Sequence, residues 1–193
     1  MNRSIKSQIS DSIRVKKTIL NNPVLIKSIE TVAERIIAAY RQGHKLLLAG
    51  NGGSAADAQH IAGEMVNRFR FNRPAFPAMA LSTDTSVLTA IGNDSAFDQV
   101  FARQIQALGT EGDVFIGIST SGHSLNIIKA LQACGRKHIL RIGLTGKSGG
   151  KMKALCDCCL RVPSTDTPRI QEAHILIGHI LCGIIEETIF GQG

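Results

Sequence analysis

The sequence predicts an α/β protein built on a doubly wound, five-stranded parallel sheet, and three observations carry that prediction. Short apolar runs recur along the chain, each followed by a Gly, Ser or Thr cluster and then by a helical pattern. Two of those clusters, GNGGSAA at 50–56 and STSGHS at 119–124, have the composition of loops that present backbone N–H groups to an anion. With 44% hydrophobic, 19% charged and only 4% aromatic residues, and no Trp, the composition suits an aliphatic core of helices packed on a parallel sheet. A length of 193 residues fits one domain, 1–193.

The elements follow in order. Ile5, Ile9 and Ile13 recur every fourth residue and predict an amphipathic first helix ending near Asn21-Asn22-Pro23. A second helix runs from about 24 to 41, with Leu25, Ile29, Val32, Ile36 and Tyr40 on one face and Gly43 as its stop. Two helices ahead of the first strand are more than a small sheet needs, so residues 1–43 are expected to supply oligomer contacts and 44–193 the α/β sandwich. Strands are expected at KLLLA (45–49), PAMAL (77–81), DVFIGIS (113–119), ILRIGL (139–144) and CCLRV (158–162). The flavodoxin-like order 2-1-3-4-5 is the expected arrangement for five such strands, and it places a crevice between the ends of the first and third.

Charge and cysteine usage exclude several classes. The net charge of +7 is scattered, and apart from RFRF at 68–71 no basic group is interleaved with stacking aromatics. A basic protein attracting a phosphorylated metabolite accounts for it better than nucleic-acid binding. Five cysteines form no disulfide framework, and C-D-C-C at 156–159 lacks the second pair a zinc ribbon needs, so buried thiols are expected. MNRSIKSQISDSIRVKK has no apolar leader segment and no run approaches 18 apolar residues, which predicts a soluble cytoplasmic protein without a membrane partner.

Two nucleotide motifs match incompletely. Gly50-x-Gly52-x-x-Ala55 matches a dinucleotide fingerprint, yet residues 65–77 lack the acidic residue that would hold a ribose and offer only arginines, which would suit a 2′-phosphate. TGKSGGK at 145–151 lacks the earlier glycine of a Walker loop, because Arg141 stands there.

The chemistry concentrates elsewhere. His60 and Glu64, at i and i+4 directly behind the first loop, share one helical face where an imidazole and a carboxylate can hold a metal or a substrate. The last helical segment, 169–188, is apolar around much of its circumference, so Gln171, His174 and His179 within it need partners. Hydrogen-bonded core histidines or metal ligands would both satisfy that need. Gln171 and His179 are about 12 Å apart along a continuous helix, so a metal site using both requires Gln171 at the helix entrance or ligands from different chains.

GNGGSAADAQHIAGE (50–64), LTAIGND (88–94), GDVFIGISTSGHSLNIIKA (112–130), LTGKSGGK (144–151) and RIQEAHILIGHILC (169–182) together resemble the sugar-isomerase (SIS) domain of bacterial phosphoheptose isomerases, over nearly the whole chain. The resemblance implies a homotetrameric aldose–ketose isomerase converting sedoheptulose 7-phosphate to D-glycero-D-manno-heptose 7-phosphate, toward lipopolysaccharide heptose, with one zinc ion per subunit and active sites at subunit interfaces. It implies His60, Glu64, Gln171 and His179 as metal ligands and Glu64 and His179 as the catalytic pair. Substrate contacts would come from Asn51, Gly52, Gly53, Ser54, Glu64, Asn93, Asp94, Ser119, Thr120, Ser121, Ser124 and Gln171. A paralogous SIS tetramer without catalysis, which binds the bacterial replication initiator, is also similar to AQHIAGEMVNRF, LSTDTSVLTAIGND and LCGIIEETIF. Retention of both Glu64 and His179 favours the enzyme. His123 departs from the family's STSGNS loop and adds a titratable group beside the expected phosphate.

Overall fold

Leu46–Ala49, Ala78–Ala80, Val114–Ser119, Leu140–Thr145 and Cys158–Arg161 form strands β1 to β5 of a computed structural model that describes residues 4–191. All pairings are parallel and the order is β2-β1-β3-β4-β5, as the sequence predicts. Every residue of β1 and β3 is buried, the pattern of central strands covered on both faces. The chain turns from one side of β1 to the other between β2 and β3. The C-terminal ends of β1 and β3 therefore flank the crevice where α/β proteins take their ligands.

Seven α-helices occur among the described residues: α1 (Ile5–Leu20), α2 (Pro23–Arg41), α3 (Gly53–Val66), α4 (Thr85–Asp94), α5 (Val100–Leu108), α6 (Leu125–Arg136) and α7 (Thr167–Phe190). Helix α2 starts where Asn22 accepts a hydrogen bond from the Leu25 N–H and Pro23 supplies a preset φ. Its expected face is inside: Leu25, Ile29, Val32 and Ile36 join one core with residues of α1, α3 and α7. A second core on the opposite face holds Leu47, Phe115, Ile105, Ile127 and Leu131. Helix α7 is long and apolar enough to cross a membrane, but it packs against α1, α2, α3 and β4. Ile170, Ile177, Leu181 and Ile185 on it are buried in the first core, so its hydrophobicity is that of a central helix.

Helix α1 turns its isoleucine stripe outward, with Ile5 78% and Ile9 55% exposed, while Val15 and Ile19 make the inward contact. Two expectations are corrected. No α-helix follows β4, only a 3₁₀ segment at Gly150–Ala154, because Gly149 and Gly150 take positive φ (75° and 52°) that breaks a regular helix. Of the cysteines, Cys134 and Cys182 are buried as expected, but Cys156, Cys158 and Cys159 are half-buried.

His174 illustrates the core-histidine reading. It is fully buried on α7 and donates from Nε2 to the Thr145 carbonyl (3.2 Å), while Nδ1 has no hydrogen-bond partner. Burial pulls its pKa down to about 4, against a partial opposing effect of that hydrogen bond. The folded value lies below the unfolded one, so this contribution is complete above pH 6.5 and is lost as pH falls toward 4, a change on the order of 3 kcal/mol. Urea unfolding at a series of pH values is expected to show that loss, and His174→Gln to flatten the curve across the same window.

Candidate active site

The loop after β1 turns at Gly52, whose φ of 54° a side chain would resist, and α3 begins at the next residue. Gly50 is equally constrained, since a Cβ there would lie 2.3 Å from the Ser54 carbonyl oxygen. These two glycines let the chain leave a buried strand and expose the first N–H groups of a helix within four residues. Ser54 is buried at that start.

The loop after β3 has a matching form. Ser119 and Ser124 hydroxyls lie 2.9 Å apart, the Gly122 N–H donates to Ser119 Oγ, and the His123 N–H donates to Ser121 Oγ. Gly122 has φ of 68° and packs against the backbone of Gly149 and Gly150. Asn51 and Asn126 join the two loops through reciprocal amide bonds of 3.0 and 2.8 Å. The result is one cradle of hydroxyls, amides and two helix N-termini, the chemistry that holds a phosphate monoester and its neighbouring hydroxyl groups.

Helix α3 then carries His60 and Glu64 away from the cradle, and α7 meets it there. Gly178 permits the approach: a Cβ at that position would sit 2.7 Å from Ile61 Cδ1. The neighbouring residues are thereby brought together, with His60 Nε2 3.1 Å from Glu64 Oε1 and 3.2 Å from His179 Nε2. One ligand atom from each of His60, Glu64 and His179 lies within 4.8 Å of the others. A single Nε2 carries at most one proton yet faces a carboxylate and a second imidazole, so the trio has more acceptors than protons. A cation satisfies such a set, and two imidazoles with one carboxylate suit zinc while leaving further positions open.

Gln171 lies eight residues before His179 on the continuous helix α7, about 12 Å along its axis. Its amide nitrogen lies 2.5 Å from where a Gly53 Cβ would be, against the start of α3, so it reaches the phosphate cradle. Asn93 and Asp94 end α4, where the Asn93 amide donates to Asp94 Oδ1 at 2.8 Å. Both are exposed, and α4 has no buried residue and packs chiefly against α5 and the 3₁₀ turn at Phe97–Gln99. Thr120 lies in the second loop beside Ser119 and Ser121.

A family model described as SIS domain matches residues 13–146. Over 98% of this chain and 96% of the relative, the sequence is 62% identical to phosphoheptose isomerase of Aneurinibacillus thermoaerophilus. It is also 62% identical to phosphoheptose isomerase 2 of Campylobacter jejuni, over 100% of this chain and 96% of the relative. The chain belongs to the phosphoheptose isomerase family of SIS domains. It is similar in structure to phosphoheptose isomerase GmhA from Neisseria gonorrhoeae, with TM-score 0.89, 44% identity and coverage of 95% of this chain and 97% of the other. A phosphoheptose isomerase from Francisella tularensis gives TM-score 0.91 at 40% identity, covering 95% and 96%.

The chain is thus an isomerase, and its trio is held by residues that no local motif signals. Arg73 donates from Nη2 to the Glu64 carbonyl and from Nη1 to the Met65 carbonyl, capping the C-terminal end of α3. Its Nε donates to Glu186 of α7 at 3.0 Å, and both side chains are only 1% exposed. Glu186 also accepts from the Phe69 and Arg70 N–H groups at 2.8 and 2.7 Å. Burial alone would raise the Glu186 pKa, but these N–H donors and the guanidinium hold it below the usual carboxylate range. The same contacts fix Phe69, whose ring stacks on His179 at 5.5 Å between centroids.

Asp57, one helical turn before His60, was also unmarked. Burial raises its pKa to about 6, against the opposing effect of His60, and its Oδ2 has no hydrogen-bond partner. A carboxylate so placed adds negative potential beside the imidazole.

Proposed function

We propose that this isomerase converts sedoheptulose 7-phosphate to D-glycero-D-manno-heptose 7-phosphate through an enediol, supplying heptose for lipopolysaccharide precursors. The observation that carries the reading is the convergence of His60, Glu64 and His179 within 4.8 Å, on helices whose neighbouring segments form the phosphate cradle. The names of the similar proteins support the sugar-phosphate substrate. The intact trio favours catalysis over the initiator-binding scaffold.

Isomerisation requires a proton to leave the carbon beside the carbonyl and another to reach the adjacent carbon. That first proton is weakly acidic, so the step needs a positioned base and stabilisation of the oxygen that gains charge. Glu64 is the base in this account. His179 carries the opposite transfer, and Phe69 against its ring limits the orientations it can take. Hydroxyls of Ser54, Ser119, Thr120, Ser121 and Ser124 and the N–H groups of Gly52 and Gly53 bind the phosphate, while Asn51, Gln171, Asn93 and Asp94 bind sugar hydroxyls. Binding at one end thus fixes the reacting carbons at the other, which lowers the entropic barrier.

His60, Glu64 and His179 would hold the zinc ion, and Gln171, which lies away from them in its own chain, would join from a partner subunit. Bound zinc supplies a Lewis acid that stabilises negative charge on the substrate oxygen. The outward isoleucines of α1 give a second chain an apolar surface, in keeping with a homotetramer.

Metal-stripped protein given sedoheptulose 7-phosphate is expected to be inactive, and zinc is expected to restore the aldoheptose signals followed by NMR. No conversion in any metal condition by a correctly folded protein would overturn the assignment.

A further inference from the structure

Cys156 and Cys159, spaced C-x-x-C around the entry to β5, lie together in a recess that the active site does not use. Their sulfurs share the space above Gly143, the β4 residue paired with Cys159: a Cβ there would be 2.7 Å from Cys156 Sγ and 3.4 Å from Cys159 Sγ. The two sulfurs are close enough to interact with each other, and Thr145 Oγ1 lies 3.5 Å from Cys159 Sγ. Between them, Asp157 is pinned by Arg141, which donates from its backbone N–H, Nε and Nη2 at 2.8, 3.1 and 2.6 Å. The turn that carries the pair is therefore held before any reaction.

Burial sets Cys134 and Cys182 apart from the pair, and Cys158, which lines a separate open groove with Val24 and Thr31, is set apart by the side of the sheet it faces. Cys158 packs against the core on the α2 side, whereas Cys156 packs against the core on the opposite face. Cys159 lines an open groove of about 490 Å³ together with Lys147 and Arg161. The interaction with Cys156, outweighing burial and helped by Thr145 and the charges of Arg161 and Lys153, holds the Cys159 thiol below the ordinary range. The same interaction, with burial, pushes the Cys156 thiol up. The two thiols are thus differentiated into a nucleophile and a resolving partner.

We propose that Cys156 and Cys159 form a hydroperoxide-reactive dithiol site that closes to an intramolecular disulfide. The Cys159 thiolate attacks the distal oxygen of the hydroperoxide, the O–O bond breaks, and the departing oxygen takes a proton to leave as an alcohol or water. Cys159 is then a sulfenic acid. The Cys156 sulfur loses its proton and attacks the Cys159 sulfur, the S–O bond breaks, and water leaves. Two thiols are oxidised to one disulfide while one hydroperoxide is reduced, so no further reductant or oxidant enters.

The test treats the reduced full chain with hydrogen peroxide and follows free thiols and the mass of the peptide spanning 154–161, which Lys153 and Arg161 delimit for trypsin. The peptide is expected to lose two hydrogens, with the Cys158→Ser variant doing the same. Cys156→Ser is expected to accumulate a sulfenic acid at Cys159 that dimedone traps, and Cys159→Ser to lose at least tenfold in oxidation rate. The rate should reach half its maximum at a pH below the ordinary thiol value of about 8.5. A peptide that keeps its hydrogens, a bridge that persists in Cys159→Ser, or a bridge that disappears in Cys158→Ser would overturn the proposal. None of these readouts uses the isomerase reaction, so they stand or fall separately from it.

Discussion

Replacing Glu64 with Gln is expected to lower turnover of the heptose phosphate by roughly a hundred- to ten-thousand-fold, the range for loss of a positioned proton-transfer group. The amide is nearly isosteric with the carboxylate but cannot accept a proton at neutral pH. Glu64 is also half-buried beside His60 at 3.1 Å, so the amide can keep a hydrogen bond to that ring and the fold should persist. Steady-state kinetics on variant and parent, with unfolding curves to show equal stability, check it. A Glu64→Gln protein retaining more than about a tenth of parent turnover would contradict the role of the base.

The second large effect falls on stability. Arg73→Ala removes the guanidinium that reaches the Glu64 and Met65 carbonyls and leaves Glu186 buried without its cation. Breaking a buried pair by removing one partner costs about 3–5 kcal/mol, because the remaining charge is uncompensated. The pair also ties α3 to α7 and fixes Phe69 on His179. Urea unfolding is expected to show that loss, and Arg73→Lys to recover only part of it, since an ammonium cannot make the same divergent set of bonds. A loss below about 1 kcal/mol would mean that the pair contributes no more than a surface contact.

The sheet was legible because its strands are short apolar runs separated by loops with their own composition. The strand order is the common arrangement for five such strands, which the alternation by itself does not specify. The phosphate cradle was legible for the same reason, since glycines and hydroxyls cluster at 50–56 and 119–124. His60 and Glu64 could be paired because helical periodicity alone puts them on one face. Their meeting with His179 depends on Gly178 admitting Ile61 across more than a hundred residues of separation, which no local pattern reports. Arg73 lies in the basic stretch at 68–73 and Glu186 near the end of an apolar helix, and neither carries a local signal of the other. Only the packing of α3 on α7 makes them a pair. The outward stripe of α1 shows the converse: helical periodicity identifies an apolar face, but not what that face meets.

The most direct measurement is zinc binding by the metal-stripped protein, followed by titration and equilibrium dialysis, for the parent and for His60→Ala and His179→Ala. One tightly bound zinc per chain in the parent, with affinity lost in both variants, is the result this account predicts. Undiminished binding in both variants would place the metal elsewhere and remove the trio from the centre of the mechanism.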